Sequence, residues 1–371
     1  MLTVASYAAA QGLRGDHPDT YVVQRGDTLW DISGRFLEKP WLWPEIWQAN
    51  PQIANPHLIY PGDVISLAYL DRVGVTAGPR TEAAPIDAVP LSEVAPFLKD
   101  LKVVDSFDHM PYVVGLEEDR MRASRGQVVY VRGLGHASPG TRFAVLRPTV
   151  RYTHLLRAGL CCDVFDHDEL DATGRRGVDF GKYWSNVVTP DKGQEVLGHE
   201  LMRVATGTLT RGEVGGIEAS TVLLDEEGRE VRVGDRVVPV DAQPYDLQFF
   251  PHPPRVQTDY GKARVLAVAD MYTTGGPRDV IALSVGAREG VDNGTVFSIW
   301  REGGNVVDRV EKGLHREADT VSFDEKVRLP DEFAGHVMVF RTFDRMSYGL
   351  VMDSVKPTRV GYHLKHPDAP Y

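Results

Sequence analysis

Along residues 21–67 the spacing of apolar positions changes period, and each change is marked by turn-forming residues. Tyr21-Val22-Val23-Gln24 is a short β-prone run closed by Arg25-Gly26-Asp27. Leu29, Ile32 and Phe36 then recur at helical spacing and give one apolar face, with Asp27 placed to cap the helix start. Pro40 ends that segment. A second helix is expected from Pro44 through Ile46 and Trp47 to Ala49, since a proline in the first turn sacrifices no hydrogen bond. Asn50-Pro51 stops it. The run Asn55-Pro56-His57-Leu58-Ile59-Tyr60 follows, then a turn at Pro61-Gly62-Asp63 and a strand Val64-Ile65-Ser66-Leu67. The predicted order is β-α-α-β.

After Leu70 the pattern dissolves into a stretch rich in Ala, Gly, Pro and Thr, which reads as a semi-extended linker over residues 70–90. From about residue 91 short β-rich runs alternate with glycine turns, as in small barrels or sandwiches. A two-copy repeat is visible. Pro139-Gly140-Thr141-Arg142-Phe143-Ala144-Val145 parallels Asn293-Gly294-Thr295-Val296-Phe297-Ser298-Ile299. Likewise Leu197-Gly198-His199 parallels Ala334-Gly335-His336, which would make the two histidines equivalent. The expected organisation is therefore residues 1–19 as a signal-peptide remnant or disordered start and 20–69 as the α+β module. A linker over 70–90 precedes a first β-rich domain over 91–245, with a polar insertion at 151–194, and a second over 246–371. The fold class is an α+β module followed by a mainly-β region of repeated barrel- or sandwich-like units.

Composition narrows the chemistry. With 41 basic against 52 acidic residues the chain carries a net charge of −11, which disfavours a nucleic-acid partner because phosphate binding needs a basic field. No apolar run approaches the roughly eighteen residues that a membrane-spanning helix requires. Ala8-Ala9-Ala10 fits the small-residue pattern at which export signals are cut, while a frayed apolar tail is the plainer reading. The cysteines, Cys161 and Cys162, are adjacent and so form no scaffold of disulfides. Their neighbours His167 and Asp168 lack the paired spacing of a metal site, and no metal or cofactor is expected. Neither a G-x-S-x-G elbow nor an H-E-x-x-H helix occurs, and the chain reads as non-enzymatic.

The runs YVVQRGDTLWDIS, WQANPQI and NPHLIYPGDVISL, in that order, resemble the LysM family over the whole module. The resemblance implies a groove for N-acetylated glycan between two loops. One wall would be Gly26, Asp27, Thr28 and Leu29, and the other Asn55, Pro56, Leu58, Ile59 and Tyr60. Trp30, Trp41, Trp43 and Trp47 are expected in the core rather than as sugar platforms. The module with its Trp-Leu-Trp-Pro insertion, linker and β-rich region is similar to the type IV pilus secretin-associated protein family, whose C-terminal part is similar to that of the flagellar protein FlgT. This resemblance implies a periplasmic protein of a Gram-negative envelope, with peptidoglycan and the pilus secretin ring as partners and several copies around that ring. A wall hydrolase with an unrecognised site and a general envelope spacer are the alternatives. The linker further implies that residues 21–67 can be deleted while the remainder stays folded.

Overall fold

The computed structural model describes residues 18–53, 58–67, 86–87, 91–154, 169–170, 176–177, 186–187, 195–240, 250–256, 262–269, 274–307 and 326–370. Cys161, Cys162, His167 and Asp168, like Ala8 to Ala10, lie outside them.

The module opens with strand β1 (Thr20–Val22), followed by helices α1 (Leu29–Phe36) and α2 (Trp43–Gln48). A single 3-10 turn at Pro40–Leu42 separates the helices. Strands β2 (Leu58–Ile59) and β3 (Val64–Ser66) complete it, and β3 pairs antiparallel with β1, Tyr21 opposite Ile65. The cap of α1 falls one residue later than the sequence suggests. Thr28 is extended, its hydroxyl accepts from the Asp31 N–H at 3.1 Å, and the Asp31 carboxylate accepts from the Thr28 N–H at 3.2 Å. That reciprocal pair satisfies two otherwise orphaned donors. Leu29, Ile32, Leu37, Ile46, Ile53, Ile59 and Ile65 are buried. Asn50 locks the end of α2 to β3: its side-chain amide donates to Ile46 O and Ser66 O at 2.7 and 2.9 Å, and its oxygen accepts from Ser66 N at 2.7 Å.

Within the linker, a short strand β4 (Ile86–Asp87) is present and pairs antiparallel with β2. Helix α3 (Leu91–Lys99) and strand β5 (Leu101–Val104) lead into the first barrel. Its strands are β6 (Tyr112–Leu116), β7 (Val128–Arg132) and β8 (Arg142–Thr153), then three short insertion strands. These are β9 (Glu169–Leu170), β10 (Arg176–Gly177) and β11 (Asn186–Val187). The barrel continues with β12 (Val196–Arg211), β13 (Ser220–Leu224) and β14 (Arg236–Pro239). The pairings run β6-β7-β13-β12-β8-β14 and return to β6, so the sheet closes on itself. Closure leaves fewer open edges to pair with stray chains.

The second barrel is built from β15 (Val265–Ala269), β16 (Val280–Leu283) and β17 (Val296–Arg301). A hairpin of β18 (Asn305–Val307) and β19 (Lys326–Arg328) follows, then β20 (Glu332–Thr342), β21 (Ser347–Ser354) and β22 (His363–Lys365). Its order is β15-β16-β21-β20-β17-β22, with β22 returning to β15 through an Arg264–His363 bridge and the Val265 N to Tyr362 O bond. Both barrels thus follow one strand order. Phe143 and Phe297 are equivalent, each entering after a glycine turn at positive φ (Gly140, Gly294). The histidine equivalence is corrected. Gly140 N bonds Leu209 O as Gly294 N bonds Val339 O, so the counterpart of His336 is Thr206, and His199 lies on the part of β12 that extends beyond the barrel.

That extension holds the barrels together. Glu200, almost fully buried, accepts hydrogen bonds from Thr149 Oγ1 at 2.9 Å, Tyr152 OH at 2.9 Å and Tyr348 OH at 2.8 Å, the last from the second barrel. Burial, and then the Glu200 charge, push both phenols well above their ordinary range. Arg341 of β20 donates to the carbonyls of Phe97, Leu98 and Leu101, satisfying the C-terminal end of α3. Inside the first barrel Arg147 and Asp235 form a buried bidentate pair at 3.0 and 2.9 Å.

Candidate functional site

The loop from β1 into α1 is built around one carboxylate. Asp27, 5% exposed, accepts from Gln24 N at 2.8 Å, Tyr21 OH at 2.7 Å and Arg35 Nη2 at 3.0 Å. With its oxygens engaged from the protein side, Asp27 shapes the loop. Gly26 sits at φ +90°, a conformation that favours glycine, and a Cβ placed there would meet nothing within 4 Å. The tip Gln24-Arg25-Gly26 is exposed and Thr28 is half-buried. This wall therefore offers an open stretch of backbone with a glycine at its apex, suited to close approach by a neutral amide-bearing ligand.

The opposite wall is held by a matching turn. Tyr60 N donates to Asp63 Oδ2 at 3.1 Å, Gly62 stands at φ +94°, and Gly62 N and Val23 O bond at 2.9 Å, which draws the turn beside the first wall. Tyr60 is half-buried. Leu29 and Ile59 are 0% and 1% exposed, so their side chains belong to the core beneath the groove. Asn55 and Pro56 lie outside the described residues, as does the side chain of Leu58. The backbone of Leu58–Ile59 carries β4 on one edge, Leu58 opposite Asp87 and Ile59 opposite Ile86.

Trp30, Trp41 and Trp43 are buried and Trp47 is half-buried, as their place in a small module suggests, but all four complete a seam between the module and the second barrel. Trp41 and Phe333 pack on His336 with ring centroids 4.9 and 5.0 Å away, and Trp30 approaches it at 6.4 Å. Trp30 Nε1 donates to Asp353 Oδ2 at 3.2 Å, and His336 Nδ1 lies 3.0 Å from Asp353 Oδ1. Phe250 stacks on Trp47 at 5.4 Å and touches Trp43 at 5.8 Å. Lys39 pairs with Asp368 at 2.7 Å. His336, Phe250 and Asp353 were not singled out for this role by the sequence. The available signal was the tryptophan density itself, more large aromatic surface than so small a module can enclose.

Among the described residues no group of three or more His, Cys, Asp or Glu side chains is arranged to hold a metal, and no helix is long and apolar enough to cross a membrane.

Two paired strands beside two helices, the first capped by Thr28, with glycine-tipped loops meeting at one end, make a small α+β module. The model of the LysM domain family matches residues 21–68, and the chain contains a LysM domain there. The chain is also 37% identical over 60 residues to the uncharacterized protein YqbP of Bacillus subtilis (strain 168). That match covers 14% of this chain and 27% of YqbP, so the likeness is confined to about a quarter of that protein.

Proposed function

We propose that the chain is a non-catalytic peptidoglycan-binding protein that ties a periplasmic assembly, the outer-membrane secretin of type IV pili, to the cell wall. The observation that carries the wall-binding half is the arrangement of the LysM domain. Its aromatic helical side is spent on the second barrel, while the Gln24–Gly26 tip stays exposed and bare of side-chain obstruction at Gly26. A neutral N-acetylated glycan is gripped there by backbone donors and acceptors, with Thr28 and Tyr60 at the margins. The secretin half rests on the sequence resemblance to the secretin-associated family, which covers most of the chain and is carried by the LysM motif with its Trp-Leu-Trp-Pro insertion more than by the β-rich repeats. A single module binds glycan weakly, and an anchor held by several copies gains from avidity.

The test uses the full chain. Gly26→Asn keeps a residue tolerant of positive φ and places a side chain at the apex. Co-sedimentation with purified sacculi should fall at least about tenfold in affinity, with circular dichroism unchanged. Undiminished sedimentation of the folded variant sinks the assigned groove. In cells, cross-linking should capture the secretin; capture of other envelope proteins with none of the secretin overturns that half alone. Zymography on sacculi should show no clearing, and a cleared band would revive the hydrolase alternative.

A further inference from the structure

Because the barrels correspond strand for strand, each surface of one has a counterpart on the other, and one such pair is treated differently. Val113 and Val265 hold the same place. The first exchanges backbone bonds with Asp235 and Gly234, the second with Tyr362 and Gly361. A register shift follows each, between Val113 and Gly115 and between Val265 and Ala267. Val114 therefore corresponds to Leu266, and Gly115–Leu116 to Ala267–Val268. Through the neighbouring strands, Tyr130 corresponds to Ala282 and Leu223 to Leu350.

On the second barrel this face is covered: Leu266, Ala282 and Leu350 are 2%, 0% and 1% exposed. Its edge at Ala267–Val268 receives β11, a strand sent over from the insertion of the first barrel. On the first barrel the same face is open and still apolar, with Val114, Tyr130 and Leu223 at 43%, 37% and 37%. Among the described residues no strand lies beside the corresponding edge at Gly115–Leu116. The insertion that supplies β11 sits between the third and fourth strands of its barrel. At the same position the second barrel carries the β18–β19 hairpin. Val306 and Val327 face each other across it at 44% and 50% exposure, with Leu329 at 43%.

We propose that this hairpin docks on the Val114–Tyr130–Leu223 face and the Gly115–Leu116 edge of a second copy of the chain. The contact between molecules would then repeat the one that β11 makes within a molecule. Charge agrees with the pairing. The edge runs directly into Glu117-Glu118-Asp119, with the Glu118 side chain 69% exposed and paired to Arg120 at 2.6 Å. The hairpin carries Arg328, its side chain 64% exposed and 3.5 Å from Asp331. Glu118 and Arg328 would each exchange a partner in its own molecule for one across the contact. The two surfaces are different, so the contact is head-to-tail and propagates into rings or filaments instead of stopping at a dimer. It rests on the barrel repeat and not on wall binding, so either can fail alone.

Sedimentation velocity of the full chain over about 1–300 µM should reveal species beyond a dimer that grow with concentration. The hairpin variant Val306→Asp/Val327→Asp and the face variant Tyr130→Glu/Leu223→Glu alter exposed positions, and each should weaken self-association at least about tenfold. An equimolar mixture of the two keeps one intact hairpin and one intact face, and should give a 1:1 heterodimer and nothing larger. A chain that stays monomeric throughout, self-association that neither variant weakens, or a mixture of the two folded variants that remains monomeric would each overturn the proposal.

Discussion

Removing the imidazole at His336 tests whether the LysM domain is fixed to the second barrel or merely lies near it. The ring is 8% exposed and is enclosed by Trp41 at 4.9 Å, Phe333 at 5.0 Å and Trp30 at 6.4 Å. Aromatic contacts of this kind contribute about 0.5–1.5 kcal/mol each beyond simple burial. The Phe333 contact lies within the barrel, which leaves two across the seam, or roughly 1–3 kcal/mol of docking energy. The bond to Asp353 adds little, because that side chain is 36% exposed and water can replace the partner. His336→Ala should therefore weaken docking by about 1–3 kcal/mol, while His336→Phe, which keeps a ring in the cage, should lose less than half as much. Four of the six tryptophans lie in the LysM domain, so intrinsic fluorescence reports mainly on this seam. In a urea titration the alanine variant should show a red-shifted transition that precedes barrel unfolding, with Trp30 and Trp41 gaining solvent. An unchanged emission maximum, with transitions superimposable on those of the unaltered chain, would refute the view that this cage holds the domain.

Asp27→Ala leaves the Gln24 N–H and the Tyr21 hydroxyl without their acceptor, and should destabilise the LysM domain by about 2–3 kcal/mol while abolishing co-sedimentation with sacculi. Thr28→Ala removes only the helix cap and should cost about 1 kcal/mol in chemical denaturation, with sacculus binding largely kept. Glu200→Leu removes the acceptor shared by the Tyr152 and Tyr348 hydroxyls in the joint between the barrels, and should lower stability by roughly 2–4 kcal/mol in the same assay. For Asp331, partial burial opposes ionisation, but the Gly303 N–H and the Lys365 ammonium outweigh it and bring the carboxyl down to about 2. A carboxyl lowered in the folded state stabilises fully above its unfolded value of about 3.9, and loses that contribution as pH falls towards 2. Discounted for its partial exposure, the contribution is about 1–2 kcal/mol. Asp331→Asn should flatten the acid limb of stability between pH 4 and 2, and an identical acid limb in the variant would remove Asp331 from the account.

The β-α-α-β order was legible because its punctuation is local: Gly26, Pro40, Pro44 and Pro61-Gly62 each act on the backbone beside them. The helix cap was displaced by one residue because Asp27 and Thr28 are both competent, and the contest is decided by Tyr21 and Arg35, which draw the aspartate into the loop. Barrel closure could not be read, since it depends on which distant strands pair. The repeat was half legible. The glycine turns before Phe143 and Phe297 share a backbone requirement and align correctly, whereas Gly198-His199 and Gly335-His336 match in letters alone. Strand β12 is 16 residues long against 11 for β20, and the surplus carries His199 out of register. Of the site, the glycine-tipped loops and the apolar helix face that buries Leu29 were visible in the sequence, whereas whether Ile59 lines the groove or the core was not. The seam was invisible for a physical reason: Phe250, His336 and Asp353 are unremarkable until folding brings them to four tryptophans. It also alters the expectation for deleting residues 21–67, which would uncover Phe250, Phe333 and His336 together and leave the second barrel with a raw aromatic face.

The same seam sets the route by which a pull on the wall would travel. If the LysM domain hung from its linker, tension would first straighten the chain between residues 68 and 90 and reach the first barrel at α3. Docked as it is, the domain hands its load sideways through the aromatic cage into β20 and β21. From there Arg341 and Tyr348 pass it to α3 and Glu200, and so to the first barrel. The covalent connection from the domain to α3 is a second route beside it. Under rising load the non-covalent route yields first and the linker then takes up the strain, so the attachment behaves as a stiff joint backed by a longer leash.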